Sequence, residues 1–136
     1  MTNLLFIMIG GALGSGLRYL THTAFARWLG GGFPYGILIV NVLGCLLVGI
    51  LGYLFTGAAP VPAAVDADAA GMRETWRLGL IVGVLGGFTT FSSFGYDTFK
   101  LWLDHEYAKA IANVALSNVL SLGAVWIGYS AAQRWS

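Results

Sequence analysis

The sequence predicts an all-α integral membrane protein of four transmembrane helices with a broken third helix. Three observations carry this. Apolar residues make up 57% of the 136-residue chain and charged residues only 10%, against about 25% charged in globular domains. Seven Lys/Arg and six Asp/Glu cannot cover a soluble core of this size. Four apolar runs reach the roughly 20 residues that cross about 30 Å of hydrocarbon. Within the third run, Gly86 to Gly95 is crowded with residues that form helix poorly. The length fits a single domain spanning 1–136.

The expected spans are Leu4 to Phe25, Gly36 to Phe55, Leu78 to Phe99 and Ala108 to Ala131. No positive residue precedes the first run, which is also too long for a signal core, so it is expected to stay as a span. Gly30-Gly31-Gly32-Phe33-Pro34 then stops one helix and starts the next. The second connection, Thr56 to Trp76, holds Pro60, Pro62, Asp66, Asp68, Arg73 and Glu74. It predicts a flexible loop leading into a short amphipathic turn. Asp104-His105-Glu106 closes a hairpin of spans three and four. Trp28, Trp76, Trp102, Tyr107 and Trp135 fall near span ends, where amphipathic rings favour the interface.

Four crossings bring both termini to one side. Arg73, Arg77 and Arg134 lie on that side and Arg27, Lys100 and Lys109 on the other. Three against three gives no preferred orientation under the positive-inside rule. Either one boundary charge is misplaced, or copies insert both ways and pair antiparallel. The pairs Gly10/Gly14, Gly79/Gly83 and Gly83/Gly87 have the four-residue spacing that lets helix backbones approach closely. A net charge of +1 gives no basic stripe for nucleic acid. Cys45, the sole cysteine, lies in an apolar run and reads as a small buried hydrophobe.

Polar side chains at membrane depth are functional candidates. Arg18 lies deep in span one, where a central arginine costs roughly 2.5–3.5 kcal/mol to insert. It bonds carbonyls or an acid, or it stabilises an anion vestibule. Asn41, among Ile37 to Val42, either glues helices or lines a polar path. Asn113, Ser117 and Ser121 step by four along span four, as interhelical glue or as a polar track.

The third span reads Gly86-Gly87-Phe88-Thr89-Thr90-Phe91-Ser92-Ser93-Phe94-Gly95. Paired glycines, β-branched residues and serines predict an interruption. Irregular backbone at that depth must be buried in protein or line a water-filled cavity. Freed carbonyls suit Na⁺, while N–H groups and hydroxyls suit an anion. Phe91 and Phe94 share one helix face, either as core packing or with their positive ring edges toward an anion.

These blocks resemble the Fluc (CrcB-type) fluoride channel family over nearly the whole chain. Gly10-Gly11-Ala12-Leu13-Gly14-Ser15-Gly16-Leu17-Arg18-Tyr19 is similar to its first-helix signature. Gly36-Ile37-Leu38-Ile39-Val40-Asn41-Val42-Leu43-Gly44 is similar to its second, and Gly86 to Phe94 to its highly specific third. The resemblance implies an antiparallel, dual-topology homodimer in the inner (plasma) membrane. Its two pores would pass F⁻ passively out of the cytoplasm, relieving fluoride toxicity. It also implies a structural Na⁺ held at the dimer centre by the backbone carbonyls of Gly86 and Thr89. Phe91 and Phe94 match the family's phenylalanine box and Asn41 its pore asparagine. Ser92, Ser93, Ser117 and Ser121 complete the expected donors, with Arg18 structural or in a vestibule. Ile37 replaces a usual threonine, Ser93 another, and Asp97 a usual glutamate.

Two other classes fit less well. A small dual-topology multidrug exporter needs an acid in its first span, and Leu4 to Phe25 has none. A non-transporting assembly subunit explains the glycines but not the hydroxyl-rich third span. An enzyme is not expected: His22 and His105 sit near span ends without a partner acid or thiol at ligand spacing.

Overall fold

A computed structural model of the chain describes residues 1–57 and 67–135. Among these every regular element is helical. α1 runs Thr2–Leu29 and α2 Tyr35–Gly52, the latter extended by a π-helical turn at Tyr53–Gly57. α3 covers Ala67–Arg77 and continues through a π-helical stretch, Leu78–Leu85, into the short α4, Gly86–Phe88. α5 spans Phe91–Leu103 and α6 Tyr107–Trp135. Four segments are long and apolar enough to cross a membrane: Thr2–Leu29, Tyr35–Gly57, Asp68–Leu103 and Tyr107–Trp135.

α1 overruns its apolar run because a chain breaker, not hydropathy, ends it. α1 continues past Phe25 to Leu29 and stops at Gly30, whose φ of 79° only glycine adopts without strain. The α5–α6 hairpin turns on His105, at φ 59°. The Glu106 N–H donates to the Leu101 carbonyl at 2.9 Å, and the His105 N–H to that of Trp102 at 3.1 Å. This is the paired closure that satisfies the last carbonyls of a helix.

The second connection departs from expectation. Its latter half is not a short turn but α3, eleven residues continuous with the third span. Alanines at 67, 69 and 70 with Met72, Arg73 and Glu74 are strong helix formers. Packing then fixes it: Thr75 Oγ1 donates to Asn3 Oδ1 at 2.7 Å, and Arg73 reaches the Leu54 carbonyl at 2.9 Å. The flexible loop expected before α3 lies, for residues 58–66, outside the described residues.

Two close helix pairs make the core, and glycine sets both. α1 lies along the Leu78–Leu85 stretch and α4, with Gly10 and Gly14 its only buried residues. A Cβ on Gly14 would strike the Val84 carbonyl, and one on Gly10 the Gly79 carbonyl. α2 lies along α6, where a Cβ on Gly49 would meet the Val125 carbonyl and one on Gly128 that of Leu46. With lipid as solvent, such backbone contact replaces the hydrophobic effect as the force between helices.

Gly14→Val is therefore expected to abolish a monodisperse, thermally stable protein. Its target is backbone that cannot move aside, so the cost exceeds the roughly 1–3 kcal/mol of ordinary overpacking. Gly123→Ala, where an added Cβ meets nothing within 4 Å, is expected to leave the melting temperature unchanged or higher. Size-exclusion profiles and thermal melts in detergent check both.

Candidate functional site

The site is organised around two extended residues in the third span. Helical geometry ends at Phe88; Thr89 has φ −75°, ψ 154° and Thr90 φ −152°, ψ 121°, and α5 starts at Phe91. In extended backbone the N–H and C=O of one residue point to the same side. Those of Thr90 point at α2. Asn41 answers both, its Nδ2 donating to the Thr90 carbonyl at 3.1 Å and its Oδ1 accepting the Thr90 N–H at 2.8 Å. One side-chain amide thus does the work of a neighbouring β-strand, which exchanges two such bonds with a facing residue.

The flanks are secured by hydroxyls. Thr89 keeps its N–H on the Leu85 carbonyl at 2.9 Å, with its own Oγ1 on the same carbonyl at 3.0 Å. The Thr89 methyl packs where a Cβ on Gly44 would stand. Asn41 and Gly44, three apart, lie on one face of α2, so the first holds Thr90 and the second admits Thr89. Thr90 Oγ1 accepts the Ser93 N–H at 3.2 Å and caps α5, the role that Thr and Ser fill at helix starts. The Ser92 and Ser93 hydroxyls lie 3.1 and 3.3 Å from that oxygen.

A cavity of about 240 Å³ opens beside the extended pair. Asn41, Thr89, Phe91, Phe94, Ser117 and Ser121 line it, with Thr90, Cys45, Asn118 and Leu122. No charged side chain contributes to this wall. Phe94 is 7% exposed and Phe91 80% exposed on the isolated chain, their ring centroids 5.3 Å apart at 50°. Ser117 is 6% exposed and donates to Asn113 Oδ1 at 3.4 Å.

The remaining expected residues do not join it. Ser92, Ser93 and Arg18 line a second, larger cavity of about 530 Å³, together with Ser15, His22 and Asp97. Ile37 belongs there too, so its missing hydroxyl lies outside the smaller cavity. The Arg18 guanidinium reaches Ser15 Oγ at 3.4 Å, and Ser15 Oγ the Gly87 carbonyl at 3.5 Å. Gly86 lines neither cavity and is helical at φ −64°, ψ −36°.

Sequence reasoning missed Thr90, Cys45 and Asn118 on the smaller cavity, and His22 as a wall residue of the larger. Thr90 had a signal, a threonine three residues before Ser93 at a helix start. Cys45 had one as well, four residues after Asn41 on the same face of α2.

Residues 5–129 match the family described as "CrcB-like protein, Camphor Resistance (CrcB)". The chain belongs to the CrcB family. The fluoride-specific ion channel FluC of Nitrobacter winogradskyi is 44% identical over 127 residues, 93% of this chain and 92% of its own length. FluC of Geobacter sulfurreducens is 41% identical over 134 residues, 98% of this chain and 99% of its own. FluC of Caulobacter sp. is 40% identical over 134 residues, covering 98% and 97%. Relatives of this CrcB-family chain thus match it nearly end to end, across both cavities and all four spans.

Asn41→Leu, of similar volume, removes the partners of the Thr90 N–H and C=O. Each unsatisfied group costs about 1–3 kcal/mol, so the pair is expected to cost roughly 2–6 kcal/mol. Thermal melts in detergent should show a fall of many degrees, while Leu43→Ala on the exposed side of α2 leaves the transition nearly in place. Equal melting temperatures for Asn41→Leu and wild type would contradict the clamp.

Proposed function

We propose that this CrcB-family protein is a passive, fluoride-selective channel that carries F⁻ out of the cytoplasm and relieves fluoride toxicity. The observation that carries the reading is the uncharged cavity at the extended pair, walled by Asn41, Phe91, Phe94, Ser117 and Ser121. Fluoride is small and strongly hydrated, so conduction requires groups that replace its water yet let it go. Hydroxyls, an amide and positive ring edges meet that need. A fixed cation in the wall would hold the ion too tightly, and none lines the cavity. Ser92, Ser93 and Arg18 act on the wider cavity, as donors and a positive charge that receive the ion before it loses its shell.

The working unit is an antiparallel, dual-topology homodimer in the inner (plasma) membrane, with a structural Na⁺ at its centre. Three observations support this. Arginine and lysine balance three against three between the two sides. Ser15, Ser92 and Asn118 are exposed at membrane depth on the isolated chain, where lipid contact is costly and a second copy gives cover. The third span reads as a helix interrupted at Thr89 and Thr90, whose extended ψ turns the Thr89 carbonyl off the helix axis. Neutral main-chain oxygens suit a hard monovalent cation. Among the described residues no group of His, Cys, Asp and Glu stands in their place. The carbonyls of Gly86 and Thr89 would hold the ion, which would supply positive charge and tie the two breaks together.

Purified protein in liposomes loaded with fluoride is expected to release it within seconds to minutes under a K⁺ gradient with valinomycin. Chloride-loaded liposomes should retain their content over the same time. Chloride leaving as fast as fluoride would overturn the reading. For orientation, Cys45→Ser with Thr2→Cys places one thiol at a terminus. Impermeant maleimide applied from either face of cells or inverted vesicles should label about half the protein. Labelling from one face alone would exclude dual topology.

A further inference from the structure

We propose that Thr98 and Asn113 form a positioning relay that sets where the Ser117 hydroxyl proton points, and thereby how readily the anion exchanges along the cavity wall. The proposal rests on the channel reading above. Asn113 is 2% exposed and, with Val40, one of the two largest fully buried side chains among the described residues. Its Nδ2 donates to Thr98 Oγ1 at 2.8 Å, and Thr98 Oγ1 donates to the Phe94 carbonyl at 2.8 Å. At the other end, Ser117 Oγ donates to Asn113 Oδ1 at 3.4 Å. The chain of bonds therefore starts at Phe94 and ends at Ser117, and both residues line the smaller cavity. Neither Thr98 nor Asn113 touches that cavity.

The direction of the chain is forced. A carbonyl only accepts, so the single Thr98 proton goes to Phe94 and its oxygen is left to accept. The Asn113 amide must then present N–H₂ to Thr98 and its oxygen to Ser117. Ser117 consequently turns its proton away from the cavity when no ion is near. The bonds from Asn113 to Thr98 and from Thr98 to Phe94 are short, whereas the one from Ser117 to Asn113 is long and weak. An arriving anion can draw the Ser117 proton toward itself at little cost, and on departure the proton returns to Asn113 Oδ1. A hydroxyl with such a fallback is never left unsatisfied, which is the condition for fast exchange. Were the amide released to flip, its N–H₂ would face Ser117 and drive the hydroxyl proton permanently into the cavity. The site would then hold its ion.

The test compares fluoride release from liposomes carrying wild type, Thr98→Val, Thr98→Ser, Ser117→Ala and the double variant Thr98→Val/Ser117→Ala. Thr98→Val keeps shape and removes the hydroxyl, and is expected to slow release tenfold or more. Thr98→Ser restores the hydroxyl and should stay within about twofold of wild type. Because Thr98 acts through Ser117, the double variant should be no slower than Ser117→Ala alone. A wild-type rate for Thr98→Val, equal slowing by Thr98→Ser, or losses that multiply in the double variant would overturn the relay. If Thr98→Val does not reconstitute, Thr98→Ala and Asn113→Ala replace it; failure of all three makes the pair a folding requirement and overturns the proposal. Wild-type liposomes that release no fluoride would instead overturn the channel reading itself.

Discussion

The Asn41 amide on the main chain of Thr90 is the interaction on which the site depends. In hydrocarbon an unpaired backbone N–H or C=O costs several kcal/mol, so two extended residues in a membrane span need local partners. Asn41 meets both needs of Thr90 with one side chain, and Thr90 in turn starts α5 through its hydroxyl. From that start follow the directions of Phe91 and Phe94 on one face and of Ser92 and Ser93 beside Thr90. The linings of the two cavities share no residue.

The same rule, that every buried polar group finds a partner inside the protein, explains the other parts of the framework. Thr75, Thr90, Asn113 and Ser117 are the buried polar residues among those described, and each is hydrogen-bonded. Among the described residues no buried side-chain nitrogen or oxygen lacks a bond. Glycine acts in parallel by letting main chain meet main chain. Gly10 and Gly14 bring α1 against the third span, and Gly49 and Gly128 bring α2 against α6. With these pairs fixed, Asn41 on α2 and Ser117 on α6 line one cavity with Thr89 and Thr90. The position of the site is thus a consequence of close packing set many residues away.

Much of this was legible in the sequence because membrane spans obey simple constraints. Length and apolarity alone place the four helices, and the crowd of glycine, threonine and serine from Gly86 to Gly95 marks where chemistry is concentrated. Helix ends were less legible: Ala26–Leu29 lies past the apolar run yet contains no breaker, and Ala67–Arg77 stays helical through Gly71. The division of the serines was not legible at all. Ser92 and Ser93 follow Phe91 directly, but neighbours on a helix project about 100° apart, so they face the larger cavity while Phe91 and Phe94 face the smaller. Thr98 is a related case: it accepts from Asn113 on α6, a relation across the bundle that spacing along one helix does not reveal. The family signatures bring Asn41 and Gly44 together on α2, and the structure supplies the physical meaning of their spacing.

The site exists only if Thr89 and Thr90 are extended at membrane depth. Solid-state NMR of threonine- and phenylalanine-labelled protein in lipid bilayers measures this directly, through the Cα and Cβ shifts of Phe88 to Phe91. Extended-type shifts at Thr89 and Thr90 between helical shifts at Phe88 and Phe91 are the expected result. Helical shifts at all four residues would contradict it, because an unbroken helix would give Asn41 no free main chain to hold.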